Sequence, residues 1–203
     1  MDNSLLLSQA AQSVINQTSE KPSSQSVVTA LLTAEKVGKK DKANYSYSQL
    51  LGNWRLCFIT GTKKTRKRAG IVLGAGRYLA NWVKIYLSYY ADEQSNSQTE
   101  PSFTRGRVQN LVQLGGLKLS LSGPVKFLLG KGIIAFDFTH LTIRFFGAKL
   151  YEGYIRNGKA TEEKFYEESV NKQAFFAYFL INNQVIAARG RGGGLAIWGK
   201  VRL

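Results

Sequence analysis

From Gly52 onward the chain alternates apolar and polar residues with a period of two, and no other feature of the sequence restricts the fold as strongly. Trp54, Leu56 and Phe58 point to one side of such a segment, which is typical of a strand with one buried face. Residues 83–89 and 117–122 show the same alternation, and further candidate strands lie at 108–114, 132–138, 141–146, 149–155, 175–181, 185–189 and 195–201. This run of short strands predicts an antiparallel sandwich or barrel.

Residues 1–44 have a helical period instead. Apolar side chains recur there at i, i+3 and i+4 in two stretches, 6–15 and 27–32. Ser23 or Ser24 can cap the second stretch, and Gly38 is a suitable stop. We therefore predict two short N-terminal α-helices over 1–44, packed against a β-domain over 45–203. The charged segment 159–168 predicts a loop, and the polar segment 91–101 predicts a mobile connection.

The net charge of +15, from 28 Lys and Arg against 13 Asp and Glu, departs strongly from average composition. A field of that sign attracts polyanions, either nucleic acid or an anionic lipid surface. The densest charge follows the first predicted strand and consists of Lys63, Lys64, Arg66, Lys67 and Arg68. Each cation near an anionic membrane contributes about 1 kcal/mol of attraction. Because an aromatic-rich RNA-recognition motif is missing, the pattern favours a membrane surface, with an RNA-binding module as an alternative.

Residue patterns for catalysis and metal binding are scarce. The single histidine, His140, stands three positions after Asp137, so the two side chains point to opposite faces of a strand. The Gly-rich segment 70–76 lacks the spacing and the lysine of a phosphate-binding loop. Cys57 is the only cysteine, and no Cys/His cluster has the spacing of a zinc site. We expect a protein that is not an enzyme and that needs no cofactor or metal.

The sequence also predicts how the chain relates to membranes. Its apolar stretches are interrupted by charge or Gly well before the roughly 18 residues that suggest a membrane span. Residues 1–17 contain no Lys or Arg, which fits neither a secretory signal nor an Arg-rich transit peptide. We therefore expect peripheral attachment to a membrane, in a bacterium or in an organelle whose targeting segment is missing from the chain.

Three motifs carry a resemblance to a known family. Gly52-Asn53-Trp54 is similar to the Gly-x-Trp sequence that starts the first strand of lipocalin-type barrels. The wider motif 50–58 follows two short helices, Val108-Gln109-Asn110 lies centrally, and 185–190 lies near the end. Together, over most of the chain, these motifs resemble the plastid lipid-associated proteins, also called fibrillins, of plants and cyanobacteria.

This resemblance implies a lipocalin-like β-barrel that binds prenyl lipids, carotenoids or other hydrophobic molecules without catalysis. It also implies a location at the thylakoid membrane or a plastoglobule-like lipid body, on the cytoplasmic side in a cyanobacterium. Other lipocalin-like proteins of cyanobacteria handle bilins, whose propionates would suit an Arg-rich interior. A bilin-handling or other tetrapyrrole-handling protein therefore remains an alternative.

The barrel interpretation assigns roles to particular residues. The candidate ligand-lining residues are the apolar side chains expected to point inward: Trp54, Leu56, Phe58, Phe136, Phe138, Phe179 and Ile197. The residues with expected structural roles are Gly52, Trp54, Arg189, Gly190 and Arg191. We expect Arg189 or Arg191 to pack its guanidinium over Trp54 and close the barrel floor, a cation–π contact of roughly 0.5–2 kcal/mol.

Overall fold

The structure is a computed structural model that describes residues 3–41, 44–61, 76–92 and 102–202. Within these ranges the α-helices are α1 (Asn3–Ile15), α2 (Ser24–Lys40) and α3 (Gly158–Lys164). The strands are β1 (Gly52–Thr60), β2 (Gly76–Tyr78), β3 (Val83–Ala91), β4 (Phe103–Leu114), β5 (Leu117–Leu128), β6 (Ile133–Phe136), β7 (His140–Phe145), β8 (Ala148–Tyr154), β9 (Ala174–Ile181), β10 (Val185–Gly190) and β11 (Leu195–Val201).

Eight of these strands close into an antiparallel barrel. Hydrogen-bonded neighbours follow the order β4-β3-β1-β11-β10-β9-β6-β5, and β5 pairs with β4 to complete the ring. Closure satisfies the backbone groups that an open sheet would leave unpaired at its edges. The chain is therefore mainly β with a lipocalin-like barrel, which confirms the predicted fold class and selects the barrel over the sandwich.

Strand β5 divides between two neighbours. Its second half, 125–128, pairs with β6 inside the ring, whereas its first half, 117–122, pairs with β7, which pairs in turn with β8. The barrel wall therefore continues on this side into a sheet that leaves the ring. We call this sheet the wing; it consists of 83–85 of β3, 109–114 of β4, 117–122 of β5, and all of β7 and β8.

Helices α1 and α2 lie on the outer surface of the barrel. Their apolar stripes pack on strands β1, β9, β10 and β11, and Leu7, Val14 and Leu31 are completely buried there. Full burial of such side chains contributes about 1.5–3 kcal/mol each. Gly199 on β11 allows the close contact, because a Cβ at this position would lie 2.5 Å from Cδ1 of Ile15.

The start of α2 follows its sequence pattern, but its end does not. The Ser23 hydroxyl caps the helix by accepting a hydrogen bond from the Ser26 amide over 3.1 Å. The helix then continues through Gly38 to Lys40, so the prediction of a stop at this glycine was wrong. A Cβ at Gly38 would lie 2.7 Å from the carbonyl oxygen of Phe179, and glycine is needed for the close approach of helix and sheet.

The charged segment predicted as a loop also contains a helix, α3. The Glu162 carboxylate on α3 accepts hydrogen bonds from Arg107 over 3.0 Å and from the Thr139 hydroxyl over 2.5 Å. Phe165, at the end of the helix, is 2% exposed. The prediction failed because these contacts with the barrel, and not a local apolar period, stabilise α3.

Candidate functional site

The barrel has a closed end built around Trp54. The 3-10 turn Tyr47–Leu50 precedes β1, and Trp54 Nε1 donates a 2.7 Å hydrogen bond to the Leu50 carbonyl oxygen. Lys200 is the cross-strand partner of Trp54, and its Nζ lies 4.2 Å from the centre of the indole. Gly52 has φ of +106°, and a Cβ there would lie 3.0 Å from Nζ of Lys200. Trp54, Gly52 and Lys200 therefore form one unit that closes the barrel.

The expectation that Arg189 or Arg191 covers Trp54 is corrected by this arrangement, because the cation over the indole is Lys200. Strand register decides the difference. Lys200 lies directly opposite Trp54, whereas Arg189 lies opposite Leu195, whose side chain belongs to the core beneath the helices. An arginine on that outer face cannot reach the inside of the barrel.

Both arginines instead hold the outer surface together. Arg189 Nε donates a 2.7 Å hydrogen bond to Oε1 of Glu35 on α2, and Nη2 donates to Oε2. Arg191 Nη1 donates to the Gln173 carbonyl oxygen over 2.8 Å. Gly190 ends β10, and its amide donates to the Gly194 carbonyl oxygen over 2.9 Å in the turn to β11. The Arg-Gly segment thus connects two strands and links them to a helix.

The seven candidate lining residues divide between the two faces of the barrel wall. Those that contact the core inside the barrel are Trp54, Leu56, Phe136 and Phe138. Those that belong to the core between the barrel and the helices are Phe58, Phe179 and Ile197. The second group lines no part of the interior, so the inward placement expected for those three side chains is corrected here.

Two β-bulges account for Phe58 and Phe179, whereas Ile197 lies on the outer face because it alternates with the inward-facing Trp198 on β11. In β1 the register against β11 shifts between Leu56 and Phe58, so that Leu56 pairs with Trp198 but Phe58 pairs with Ile197. In β9 a second shift leaves Phe179 opposite no residue of β10. A bulge inserts one residue and moves the following side chains to the other face. Strict period-two counting therefore fails at both positions.

The opposite end of the barrel interior, which we call the mouth, is aromatic. Phe136 contacts Phe138 and Phe176 with ring centres 5.3 and 4.9 Å apart, and Phe176 contacts Trp198 at 5.4 Å. Phe136 and Trp198 are buried, whereas Phe138 and Phe176 are only half-buried. The mouth is therefore lined by an aromatic cluster, of which Phe138 and Phe176 are partly exposed.

The apolar interior of the barrel continues onto one face of the wing. Cross-strand partners share a face, and the register places this inner face on the same side as Leu87 and Val108 of the barrel core. Its central side chains are Ile85, Val112, Leu119, Leu121, Leu141 and Ile143. All six are half-buried, and in the described part of the chain none belongs to either buried core. An apolar sheet face of this kind needs a second layer to cover it.

One polar side chain interrupts the inner face. Asn110 lies between Leu87 and Leu121 in the cross-strand row nearest the barrel. Its Oδ1 is buried and has no hydrogen-bond partner among the described residues. A buried acceptor without a partner costs about 1–3 kcal/mol. A hydrogen-bond donor on a bound molecule would remove that cost, so Asn110 marks a point at which an apolar ligand can be oriented.

A second opening, of about 640 Å³, lies on the outer side of the barrel between β4 and α3. Four charged residues line it, Asp92, Arg107, Glu162 and Glu163, and of these Arg107 and Glu162 pair with each other. Burial acts to raise the pKa of Glu162, but hydrogen bonds from Arg107 and Thr139 outweigh it and lower the pKa. An ion-paired carboxylate with a lowered pKa is a poor general base. Across the described ranges no group of three His, Cys, Asp or Glu side chains could hold a metal ion.

The remaining reactive side chains are engaged in packing. The His140 ring contacts the Tyr154 ring edge-on at 5.6 Å, and the nearby Asp137 carboxylate accepts a hydrogen bond from the Phe138 amide. Cys57 is completely buried beneath α1, and this burial raises the pKa of its thiol to about 11. Among the described residues, no hydrogen bond joins any of these three groups to another nucleophile or base, although His140 lies near enough to Glu152 and Glu162 to help lower the pKa of both carboxyls.

The basic cluster Lys63, Lys64, Arg66, Lys67 and Arg68 lies outside the described residues, as does most of the polar segment 91–101. The end of β1 and the start of β2, on either side of the cluster in the chain, are paired through Thr60 and Gly76. Every helix that the structure describes falls short of the length and apolar character needed to cross a bilayer.

Sequence reasoning missed the inner face of the wing, Asn110 and the two mouth residues Phe176 and Trp198. The alternation at 117–121 did predict a half-buried strand, but the pattern of one strand does not reveal whether another layer covers it. Lys200 was missed because a cation–π contact depends on register and not on local sequence. Comparison of the chain with protein-family models and with curated proteins finds no match, so the fibrillin resemblance stays a prediction carried by the chain's own motifs.

Proposed function

We propose that this protein binds a lipid or another hydrophobic molecule without catalysis, at an anionic membrane surface. The observation that carries the proposal is the apolar inner face, which runs from the mouth onto the wing with no second layer over it in the described residues. Hydrophobic sites combine apolar walls with a few placed polar groups. Prenyl lipids and carotenoids, which the fibrillin resemblance suggests, belong to this class, and the thylakoid membrane or a plastoglobule is the proposed location.

Asn110 narrows the class of ligand. Its Oδ1 has no partner among the described residues and is available to accept one hydrogen bond at the point where the inner face meets the barrel. A molecule with a long apolar part and a hydroxyl group fits this arrangement better than a pure hydrocarbon. The apolar part would lie along the wing, and the hydroxyl would donate to Asn110.

The anionic surface is supported by charge. The chain carries +15, and five of its cations stand within six positions at 63–68. Replacing these five by Gln should sharply reduce flotation of the protein with vesicles that contain anionic lipid. Binding that is insensitive both to these changes and to salt would contradict an electrostatic membrane partner.

The alternative ligands have less support. A bilin requires cations inside the barrel to pair with its propionates, but the inward-facing Lys200 is engaged with Trp54 at the closed end. An RNA-binding surface requires exposed aromatic side chains for base stacking. Tyr86 and Tyr89 on β3 are buried and unable to stack on a base, and the Tyr89 hydroxyl is bonded to that of Tyr178 at 2.9 Å. Tyr90 is 47% exposed, so RNA is disfavoured mainly by the missing aromatic-rich recognition motif, and a measurement of RNA binding decides between the two partners.

The direct test is to purify the protein without detergent, extract it with organic solvent and identify what was bound. A lipid, prenyl alcohol or carotenoid in stoichiometric amount is the expected result. The purified protein should then take up a prenyl alcohol with saturable affinity. Absence of any extractable molecule together with no uptake of apolar probes would contradict the proposal.

A matched pair of variants tests whether the inner face is the site. Leu141 and Thr142 are neighbours on β7, with Leu141 on the inner face and Thr142 on the outer face. Leu141→Gln should weaken uptake of the prenyl alcohol at least tenfold, because a polar group replaces part of the apolar wall. Thr142→Gln should leave uptake unchanged. Equal effects of the two changes would place the ligand elsewhere.

The variant Asn110→Leu tests the hydrogen bond separately. It should weaken binding of a prenyl alcohol about tenfold but leave binding of the corresponding hydrocarbon equal or tighter. The same variant should be at least as stable as the parent, since it removes a buried acceptor that has no partner in the described part of the chain. Equal losses for alcohol and hydrocarbon would indicate that Asn110 is structural.

A further inference from the structure

The end of the wing farthest from the barrel, which we call the wing tip, exposes large apolar side chains. By register, Trp82, which immediately precedes β3, and Phe146, in the β7–β8 turn, lie along this same end of the sheet. Trp82 is 73% exposed and Phe146 is 79% exposed, and Phe145 and Leu150 beside them are exposed too. Single apolar residues are common on protein surfaces, but a cluster marks an interaction site.

Phe146 has a backbone conformation that is unusual for a bulky residue. Its φ is +47°, in the left-handed region that bulky side chains avoid and that turns usually fill with Gly or Asn. Its amide donates a 2.9 Å hydrogen bond to the Gly116 carbonyl oxygen, and its ring packs edge-on against Phe145 with centres 4.7 Å apart. A ring held outward where Gly would cost less is the kind of local strain that persists at functional sites.

The outer face of the wing adds a row of cations directly behind the tip. One cross-strand row consists, in order, of Lys84, Gln113, Lys118, Arg144 and Lys149, so four of its five members are cations. Lys149, at the end of the row, also pairs with Glu152 over 2.5 Å. With strands about 4.8 Å apart and a rise of about 3.4 Å per residue, the row spans about 19 Å and lies one residue behind the tip. Aromatic side chains and cations are thus placed at two adjacent levels of one edge.

We propose that the wing tip is the surface that contacts the membrane, with its aromatic side chains in the headgroup region of an anionic bilayer. Aromatic rings favour the interface between water and hydrocarbon. With the rings placed there, the cations of the row, one residue farther from the bilayer, would lie at the depth of the lipid phosphates. A second copy of this chain fits the surface less well, because pairing would bring two cation rows together on proteins that each carry +15. The inference rests on the proposed membrane partner and does not depend on the ligand.

Docking through the tip fixes the orientation of the molecule. The inner face lies between the tip and the mouth on the same strands, β3, β4, β5 and β7. A hydrophobic molecule can therefore pass from the bilayer to the mouth along apolar side chains without crossing water. Membrane contact and ligand binding would occupy successive parts of one surface.

Flotation of the full chain with vesicles tests this proposal. The vesicles contain phosphatidylglycerol and phosphatidylcholine in equal parts, and phosphatidylcholine vesicles serve as the neutral comparison. Trp82→Ser combined with Phe146→Gly removes the aromatic tip, and the tip variant should bind at least tenfold more weakly. Changing the row, Lys84, Lys118, Arg144 and Lys149, to Gln should reduce binding on the order of a hundredfold.

A matched control separates the row from net charge. The control replaces four exposed lysines outside the wing by Gln and so removes the same number of positive charges. These are Lys36, Lys40, Lys164 and Lys172. This control should weaken binding less than threefold. Equal effects of row and control variants would overturn the proposal, and so would unchanged flotation of the tip variant.

Two further readouts distinguish other partners and the ligand function. Loss of a dimer in the tip variant, with flotation unchanged, would assign the tip to a second copy. Row-dependent binding of single-stranded RNA, with flotation unchanged, would assign the row to nucleic acid. Uptake of a prenyl alcohol in the absence of vesicles should be the same in the tip variant as in the parent. If uptake fails in the parent while tip-dependent flotation persists, the ligand proposal is wrong and the docking proposal stands.

Discussion

Strands β4 and β5 each run through two environments, and the contrast between them is the most instructive in the molecule. In the barrel half, Val108, Val125 and Phe127 are at most 1% exposed. In the wing half, Val112 and Leu119 lie on the same continuous face but are only half-buried. The strands, the pairing and the alternation are the same in both halves. What differs is the presence of a closed ring with a second wall opposite.

This difference separates stability from binding. Side chains in the barrel half pack against other side chains of the same protein, so changes there should alter the free energy of unfolding. Side chains in the wing half have little of the described protein opposite them, so changes there should alter binding to ligand or membrane while folding persists. Substitutions in each half therefore test the division.

Trp54→Ala should lower the free energy of unfolding by about 3–5 kcal/mol, because it empties the closed end of the barrel. The matched change in the wing, Trp82→Ala, should cost no more than about 0.5 kcal/mol, since that indole is 73% exposed. Denaturant unfolding of both variants gives the comparison. Similar losses at the two tryptophans would show that the wing contributes to the folded core.

Glu35→Gln should cost about 2 kcal/mol at neutral pH, because it breaks the charged hydrogen bonds that tie α2 to Arg189 of the barrel. The hydrogen bond from Arg189 lowers the pKa of Glu35 below its ordinary value of 4.5. A lowered carboxyl pKa means that the stabilisation is full above the ordinary value and is lost as the pH falls through the lowered one.

The difference in stability between parent and Glu35→Gln should therefore shrink in acid, below about pH 4.5. The exposed Glu163→Gln is the control and should change stability by no more than about 0.5 kcal/mol. Urea unfolding at several pH values measures both. A difference that stays constant down to pH 3 would show that the ion pair is not the source of the effect.

Phe146→Gly should leave the stability equal or raise it by up to about 1 kcal/mol, because it relieves a left-handed conformation at an exposed ring. Thermal unfolding of the single variant measures this directly. A large destabilisation would mean that the ring is part of the folded core, and would blur the division between barrel and wing.

The smallest effect concerns thiol reactivity and leaves stability unchanged. Burial beneath α1 raises the pKa of Cys57 to about 11, so at pH 8 its thiol should react with iodoacetamide only when the protein unfolds. A cysteine placed in the wing by Thr142→Cys should react in the native state. Rapid native labelling of Cys57 would indicate that α1 separates from the barrel readily.

The parts of the fold that were predicted correctly are those that a local sequence pattern specifies. The strands around Trp54 and Leu119 were predicted because alternation survives in any half-buried strand. Phe58 and Phe179 were assigned to the wrong face because a bulge has no signature in alternating apolar sequence. Helix α3 was missed because Glu162 is held by distant partners.

Charge and periodicity are local properties, so the amino-acid sequence was enough to predict a basic, mainly β protein with two amphipathic helices. It also supplied the Gly-x-Trp start of the barrel. Three features could be read only from the folded protein: which cation closes the barrel, which face each aromatic side chain occupies, and where the wall leaves the ring. Those choices depend on strand register and on the division of β5 between β6 and β7, which join residues far apart in the chain.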